Sequence, residues 1–461
     1  MSESSAAAVA DVPRPAVVPP QPYTFPEGRR RTLENGLEVV AYDVPGQYVH
    51  SVRVALPLPL ARERRDIEGV ATIMARSLDE GTERYSSSEF ALLLERRGVA
   101  LGTSISEAGL TVDVDVAKRH LGYALDLLRQ VITEPAFPAS EIDRHRKTRL
   151  AEIEQERAMP AQRGAIELIA TYFADSERAS RPTAGSRETV RSITRADVVA
   201  FHADNVSPLG GTVVIAGDLA GVDAIAEIEA ALGRWTPLSS PTSAVPLAPE
   251  AAQVADARHR IVFIDRPGAV QTELAVACPG PDRRVPGGWS PYPVLGFMIG
   301  GSPNARVDAV LREEKGYTYG IRSVFRPRRR GGMFLTSGSV RADSTVEALG
   351  LLLDLLDGGR EGFTDDEVRA GVDFVSMTAP GRYATADAIA DEAASLSLDG
   401  LTTTFTTENL RDMVTLDPSR LQAAYRAFVD GRWTVVVVGD AASHLEGIRA
   451  LGRGDVTVIS G

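Results

Sequence analysis

From Val49 the stretch VHSVRVALPLP alternates apolar and polar positions, the two-residue period of a strand with one buried face. The alternation returns in VQTELAVACPG from Val270. Ahead of each lies an apolar run ending in Pro-Gly, VVAYDVPG at 39–46 and IVFIDRPG at 261–268, offset by 222 residues. TVVIAGDLA from Thr212 and TVVVVGDAA from Thr434, both apolar strands closed by Gly-Asp, keep the same offset. Segments that hold one register over such distances identify a tandem duplication of a domain of about 200 residues, an ordinary domain size.

Within the first copy, strands near 38–43 and 49–56 precede a helix from about Gly69. SSSEFALLLERRG then opens on serines placed to cap a helix and stops at Gly98. VALGTSISEAGLTVDVDV alternates and is broken by turn residues, which predicts two antiparallel strands. Helices are predicted over 118–132, 139–159, 161–173 and 194–203, and a closing strand over 212–217. Strands joined by short turns, with helices gathered in runs, predict an α+β layer structure. The expected architecture is two tandem homologous domains, each a mostly antiparallel sheet with helices on one face. Their expected bounds are 30–235 and 261–461, with a disordered leader over 1–29 and an extended Pro/Ser/Ala-rich linker over 236–260.

Composition narrows the function classes. A formal charge of −12 argues against general nucleic-acid binding, which needs an excess of Lys and Arg. The run Arg326, Arg328, Arg329 and Arg330 goes against that balance and reads as a solvated hairpin loop. Cys278 is the single cysteine, so neither an intrachain disulfide nor a thiolate metal cluster can form. It sits in a strand-like stretch and reads as a buried inert thiol. No apolar run is long enough to span a membrane, and the Pro-rich start lacks the charge and apolar core of a secretory signal, so cytoplasmic residence is expected. The six histidines are His50, His120, His145, His202, His259 and His444, and no two stand at metal-ligand spacing. Glu141, His145 and Glu152 share one helix with Arg144, Arg146, Lys147 and Arg149, which reads as a salt-bridged face.

Taken in order, ENGLEVV (34–40), GVATIMARSLDEGT (69–82), YSSSEFALLLERRG (85–98), EIDRHRKTRLAEIEQE (141–156), TRADVVAFHADNVSP (194–208) and VVIAGD (213–218) resemble the insulinase, or pitrilysin, zinc peptidases. The resemblance is strongest to the small-subunit branch that includes the mitochondrial processing peptidase. It implies the LuxS/processing-peptidase-like fold. It also implies where chemistry would sit. The family's helix carries H-x-x-E-H, two His ligands and a Glu base, and a distal Glu completes the zinc shell. In this chain those positions hold Thr72, Ala75 and Arg76, with the distal Glu at Glu152. A single carboxylate facing an arginine cannot hold zinc, so no cofactor is expected in this chain and Arg76 is expected to pair with Glu152.

The second copy keeps more. GGSPNARVDAVLREEKGYTYGIRSVFRP, residues 300–327, resembles the family segment that carries an Arg-Tyr pair, matched here by Arg312 and Tyr319, with Tyr317 the lesser candidate. In the family that pair donates to the substrate carbonyl and its developing oxyanion. The resemblance thus implies a non-zinc subunit of a heterodimeric metallopeptidase that binds peptide. Its partner would be a homologous H-x-x-E-H subunit bearing the zinc, with no nucleic acid or membrane involved. The alternative is a catalytically silent structural or peptide-binding protein of the same fold.

Overall fold

The computed structural model describes Val18, residues 21–238, Val254–Ala255 and residues 260–461. In the first half β1 (Arg29–Thr32), β2 (Glu38–Asp43), β3 (Val49–Leu56), β4 (Ala100–Ile105), β5 (Leu110–Ala117) and β6 (Thr212–Gly217) form one sheet in the order β1-β2-β6-β3-β5-β4. Only β2 and β6 run parallel. The second half has β7 (Arg260–Asp265), β8 (Gln271–Gly280), β9 (Arg322–Pro327), β10 (Gly332–Arg341), β11 (Thr434–Gly439) and β12 (Asp455–Ser460), in the order β12-β7-β11-β8-β10-β9. Five strands of each sheet occupy equivalent places. The sixth differs: β1 lies antiparallel to β2, whereas β12 lies parallel to β7.

The sequence patterns translate directly into burial. Leu110, Val112, Val114 and Val116 of β5 are fully buried, while the Thr and Asp between them are half-exposed. The central strand β6 is buried at every position and reads as an unbroken apolar run.

Each half's own helices cover one face of its sheet, and the opposite face is covered by a single helix from the other half. Helix 160–172 of the first half, with Leu168 and Tyr172, packs with Phe173 on Val262, Ile264, Ala275, Ala277, Val436 and Val438 of the second sheet. Helix 386–398 of the second half lays Ala386, Ile389, Ala390, Ala393 and Ala394 on β3 and β6 of the first. Small side chains permit this close approach: a Cβ on Gly164 would lie 3.1 Å from Val438 Cγ2. Arg53, buried in β3, adds a polar tie by donating from Nε to Asp391 of that helix at 2.6 Å and from Nη1 to Asp115 at 3.0 Å.

Two boundary expectations need correction. The leader does not run unstructured to residue 29. Residues 1–17 and 19–20 lie outside the described residues, but Phe25 is buried, set edge-on against Tyr42 and Tyr383, and its N–H donates to Thr407 Oγ1 at 3.1 Å. Tyr23 stacks on Tyr383. An isolated aromatic pair has no period, so its burial site on the second half left no local signal. Most of the 236–260 linker lies outside the described residues, but β7 already begins at Arg260, and Ala255 N–H donates to Tyr172 O at 2.9 Å. Among the described residues, no helix is long and apolar enough to cross a membrane.

Candidate functional site

The helix predicted from Gly69 spans Val70–Arg76 and begins on Gly69 itself, whose φ of 99° is left-handed. Only glycine adopts that backbone without strain, and a Cβ there would also sit 2.8 Å from Ala184 O. The helix start is held from a distance: Glu63 Oε1 accepts from Gly69 N at 2.9 Å and from Ala71 N at 3.0 Å, taking up donors that a helix start leaves unpaired. Glu63 is fully buried and is met by Arg178 Nη2 at 2.8 Å, while Glu68 is met by Arg181 Nε at 2.8 Å. This network fastens the frame to the 178–185 loop. Its residues went unread in the sequence because side-chain capping across six positions follows no fixed spacing.

At the positions set against the family's ligand motif, Thr72 and Ala75 are buried, and Thr72 Oγ1 has no hydrogen-bond partner. Arg76 Nη1 donates to Glu152 Oε1 at 2.9 Å, the pairing expected from sequence. Arg149, nearly buried on the same helix as Glu152, donates to Oε2 at 3.2 Å. Burial pushes the Glu152 carboxyl up, yet hydrogen bonds from Arg76 and Arg149 and their charges outweigh it and hold the group below the usual glutamate value. Both oxygens of the only carboxylate are therefore occupied by guanidinium groups. A divalent ion does not fit this donor set, and among the described residues no group of three or more His, Cys, Asp and Glu is placed to hold one. Glu141, His145 and Glu152 also part company: Glu141 meets Arg144, and His145 Nε2 pairs with Glu80 Oε1 at 2.9 Å.

The second-half segment is built differently. Arg312 lies in a π-helical turn, Ala309–Glu314, the kind of local widening that recurs at functional sites. Its guanidinium is partly exposed, with Glu313 at 3.4 Å. Buried Asp308 ties this turn to β9 by accepting from Ile321 N at 2.8 Å and from Arg322 Nη1 at 2.7 Å. Thr318 Oγ1 donates to Ser339 O at 2.6 Å and accepts from Gly320 N at 3.0 Å, which fixes the backbone on either side of Tyr319. Tyr319 itself is 93% exposed. Tyr317 is engaged instead, with its hydroxyl raised above the ordinary tyrosine value by a hydrogen bond to Glu347. Among the described residues no hydrogen bond or ion pair joins Arg312 to Tyr319, or either of them to Arg76 or Glu152.

The model of the Insulinase (Peptidase family M16) domain matches residues 49–187, and that of the Peptidase M16 inactive domain matches residues 192–373. The chain belongs to the insulinase peptidase family. Among its relatives in this family is an uncharacterised zinc protease of Streptomyces coelicolor, 24% identical over 75% of this chain and 74% of that one. A non-peptidase homologue from Helicobacter pylori is 24% identical over 33% of this chain and 35% of its own length. The crystal structure of a peptidase M16 inactive domain from Pseudomonas fluorescens superposes with a TM-score of 0.81 at 21% identity, over 90% of this chain and 98% of that one, so the fold is shared.

Proposed function

We propose that this chain is the non-zinc subunit of a heterodimeric metallopeptidase, which holds peptide substrate and stabilises the transition state for an H-x-x-E-H partner. The observation that carries the reading is the contrast between the two motif positions. Glu152 is occupied by two arginines, whereas Tyr319 stands 93% exposed with its backbone pinned on both sides. A hydroxyl carried on a pinned backbone and open to the outside suits a substrate gripped between two polypeptides. Arg312 and Tyr319 would donate to the scissile carbonyl and to the oxyanion that forms on it, a role that depends on donors already in position. Zinc would come only with the partner.

The test is to mix the purified chain with a homologous H-x-x-E-H subunit and measure cleavage of an unfolded peptide. Activity should appear only in the mixture, and Tyr319→Phe should lower it by about 100-fold or more, the size expected for one oxyanion donor. Equal activity of the variant would reject the role given to Tyr319. A second reading, a catalytically silent structural or peptide-binding protein, draws support from the Helicobacter pylori relative described as a non-peptidase homologue. Failure of every zinc-bearing homologue to produce cleavage in the mixture would favour it.

A further inference from the structure

The arginine run at 326–330 is not the solvated loop its composition suggests. It forms the turn of the β9–β10 hairpin, and only Arg326 and Arg330 face solvent. Arg328 folds inward with its guanidinium 4.3 Å from the centre of the Phe173 ring, and burial lowers it to about 10. There it walls two adjoining cavities of about 490 and 430 Å³ in the cleft between the halves, a size usual for ligand sites. Both cavities share Leu60, Glu107 and Arg328, and Ile166, Ile169 and Phe173 give the larger one an apolar floor.

Seven arginines and four carboxylates line the two cavities, and Glu63, Glu68 and Glu152 just behind the lining pair with Arg178, Arg181 and Arg149, which leaves Arg329 and Arg330 as the arginines without an ion pair among the described residues. Of these two, Arg329 donates to Leu398 O at 3.2 Å. Burial and the charges of Arg284 and Arg330 lower Arg329 and outweigh the opposing charge of Asp399. The molecule already shows what the site takes. Glu107, at the exposed tip of the β4–β5 turn, reaches across from the other half and pairs with Arg328, leaving the glutamate side chain 53% exposed.

We propose that this cleft binds a carboxylate-bearing peptide segment through Arg328, Arg329 and Arg330, displacing Glu107, which occupies the site as an internal stand-in. The apolar floor of Ile166, Ile169 and Phe173 suits peptide side chains, which a sugar-phosphate backbone does not supply. The exchange sets one carboxylate in place of another on Arg328, so the inward-folded guanidinium is not left unpaired. The inference concerns the isolated chain and does not rest on its pairing with a zinc subunit.

The full chain is titrated with a fluorescein-labelled oligoglutamate peptide at low ionic strength, and anisotropy is read alongside an oligolysine peptide and a single-stranded oligonucleotide. Oligoglutamate should bind saturably and weaken with added salt, while oligolysine should not bind. Glu107→Gln should tighten binding several-fold by removing the internal competitor. The double substitution Arg329→Glu with Arg330→Glu should weaken it about tenfold or more, roughly what one lost charge pair amounts to. Glu107 and Arg330 are both exposed, and unchanged circular dichroism and Tm would show that the variants remain folded. The proposal is overturned by no saturable oligoglutamate binding, by Glu107→Gln binding no tighter than the unsubstituted chain, by a double variant that binds as well, or by preference for the oligonucleotide.

Discussion

The Arg76–Glu152 frame in the first half and the Arg312–Tyr319 segment in the second are not equivalent positions of the repeat, whose offset sets Arg76 over Met298, and they solve opposite problems. In the first, the charges that hold the helix and Glu152 are paired inside the protein, Glu63 with Arg178 and Glu152 with Arg76 and Arg149. In the second, Thr318 and Asp308 fix the backbone while Tyr319 is left open. A site whose partners are all internal serves stability. A rigid backbone presenting an unpaired side chain is the arrangement expected of a surface waiting for something else. The Val70–Arg76 helix is held in place by its neighbours and needs no bound ion to fix it.

The sharpest way to break this comparison is Glu63→Ala. It removes the cap of helix Val70–Arg76 and leaves the nearly buried Arg178 without its closest carboxylate, so stability should fall by about 3 kcal/mol in chemical denaturation. A change within a few tenths of a kcal/mol would mean that the frame is not held as described. Tyr319→Phe should do the reverse. Loss of a hydroxyl that bonds to nothing in the folded chain should leave Tm unchanged, while activity with a zinc-bearing partner drops by about 100-fold, near 2.7 kcal/mol. Tyr317→Phe should cost little activity, since its hydroxyl is spent on Glu347.

The smallest effect is expected at the Arg76–Glu152 pair. Arg76 and Glu152 are each about one-third exposed, so solvent screens their pairing and Arg76→Ala should cost under about 1 kcal/mol at neutral pH. Its pH dependence has a definite sign. The folded-state Glu152 is depressed below the ordinary 4.5, so its contribution is present above that value and is lost as pH falls through the folded pKa. Unfolding curves of Arg76→Ala and the unsubstituted chain should therefore differ at pH 7 and converge in acid below about 4.5. A difference that grows on acidification would contradict the ion-pair account.

The reach of sequence reasoning can be judged from individual residues. The duplication, the alternation of β5, the start of the helix at Gly69 and the Arg76–Glu152 pair were all legible, because each depends on local period or on positions that the family motif marks. Glu63 and Arg178 were not, being 115 residues apart with nothing to link them before folding. Arg328 was misread for the same reason: a basic run looks solvated until Phe173 and Glu107 are brought to it from the other half.

By itself, then, the order of residues determined the central strands of both sheets, the main helices of the first half, the repeat and the absence of His ligands at 72, 75 and 76, all matters of short-range pattern and side-chain chemistry. Tertiary structure alone decided that each half covers the other's sheet, that Phe25 belongs to the second half's core and that the arginine hairpin turns inward. Burial and charge pairing across hundreds of residues depend on which surfaces meet, and no local period records that.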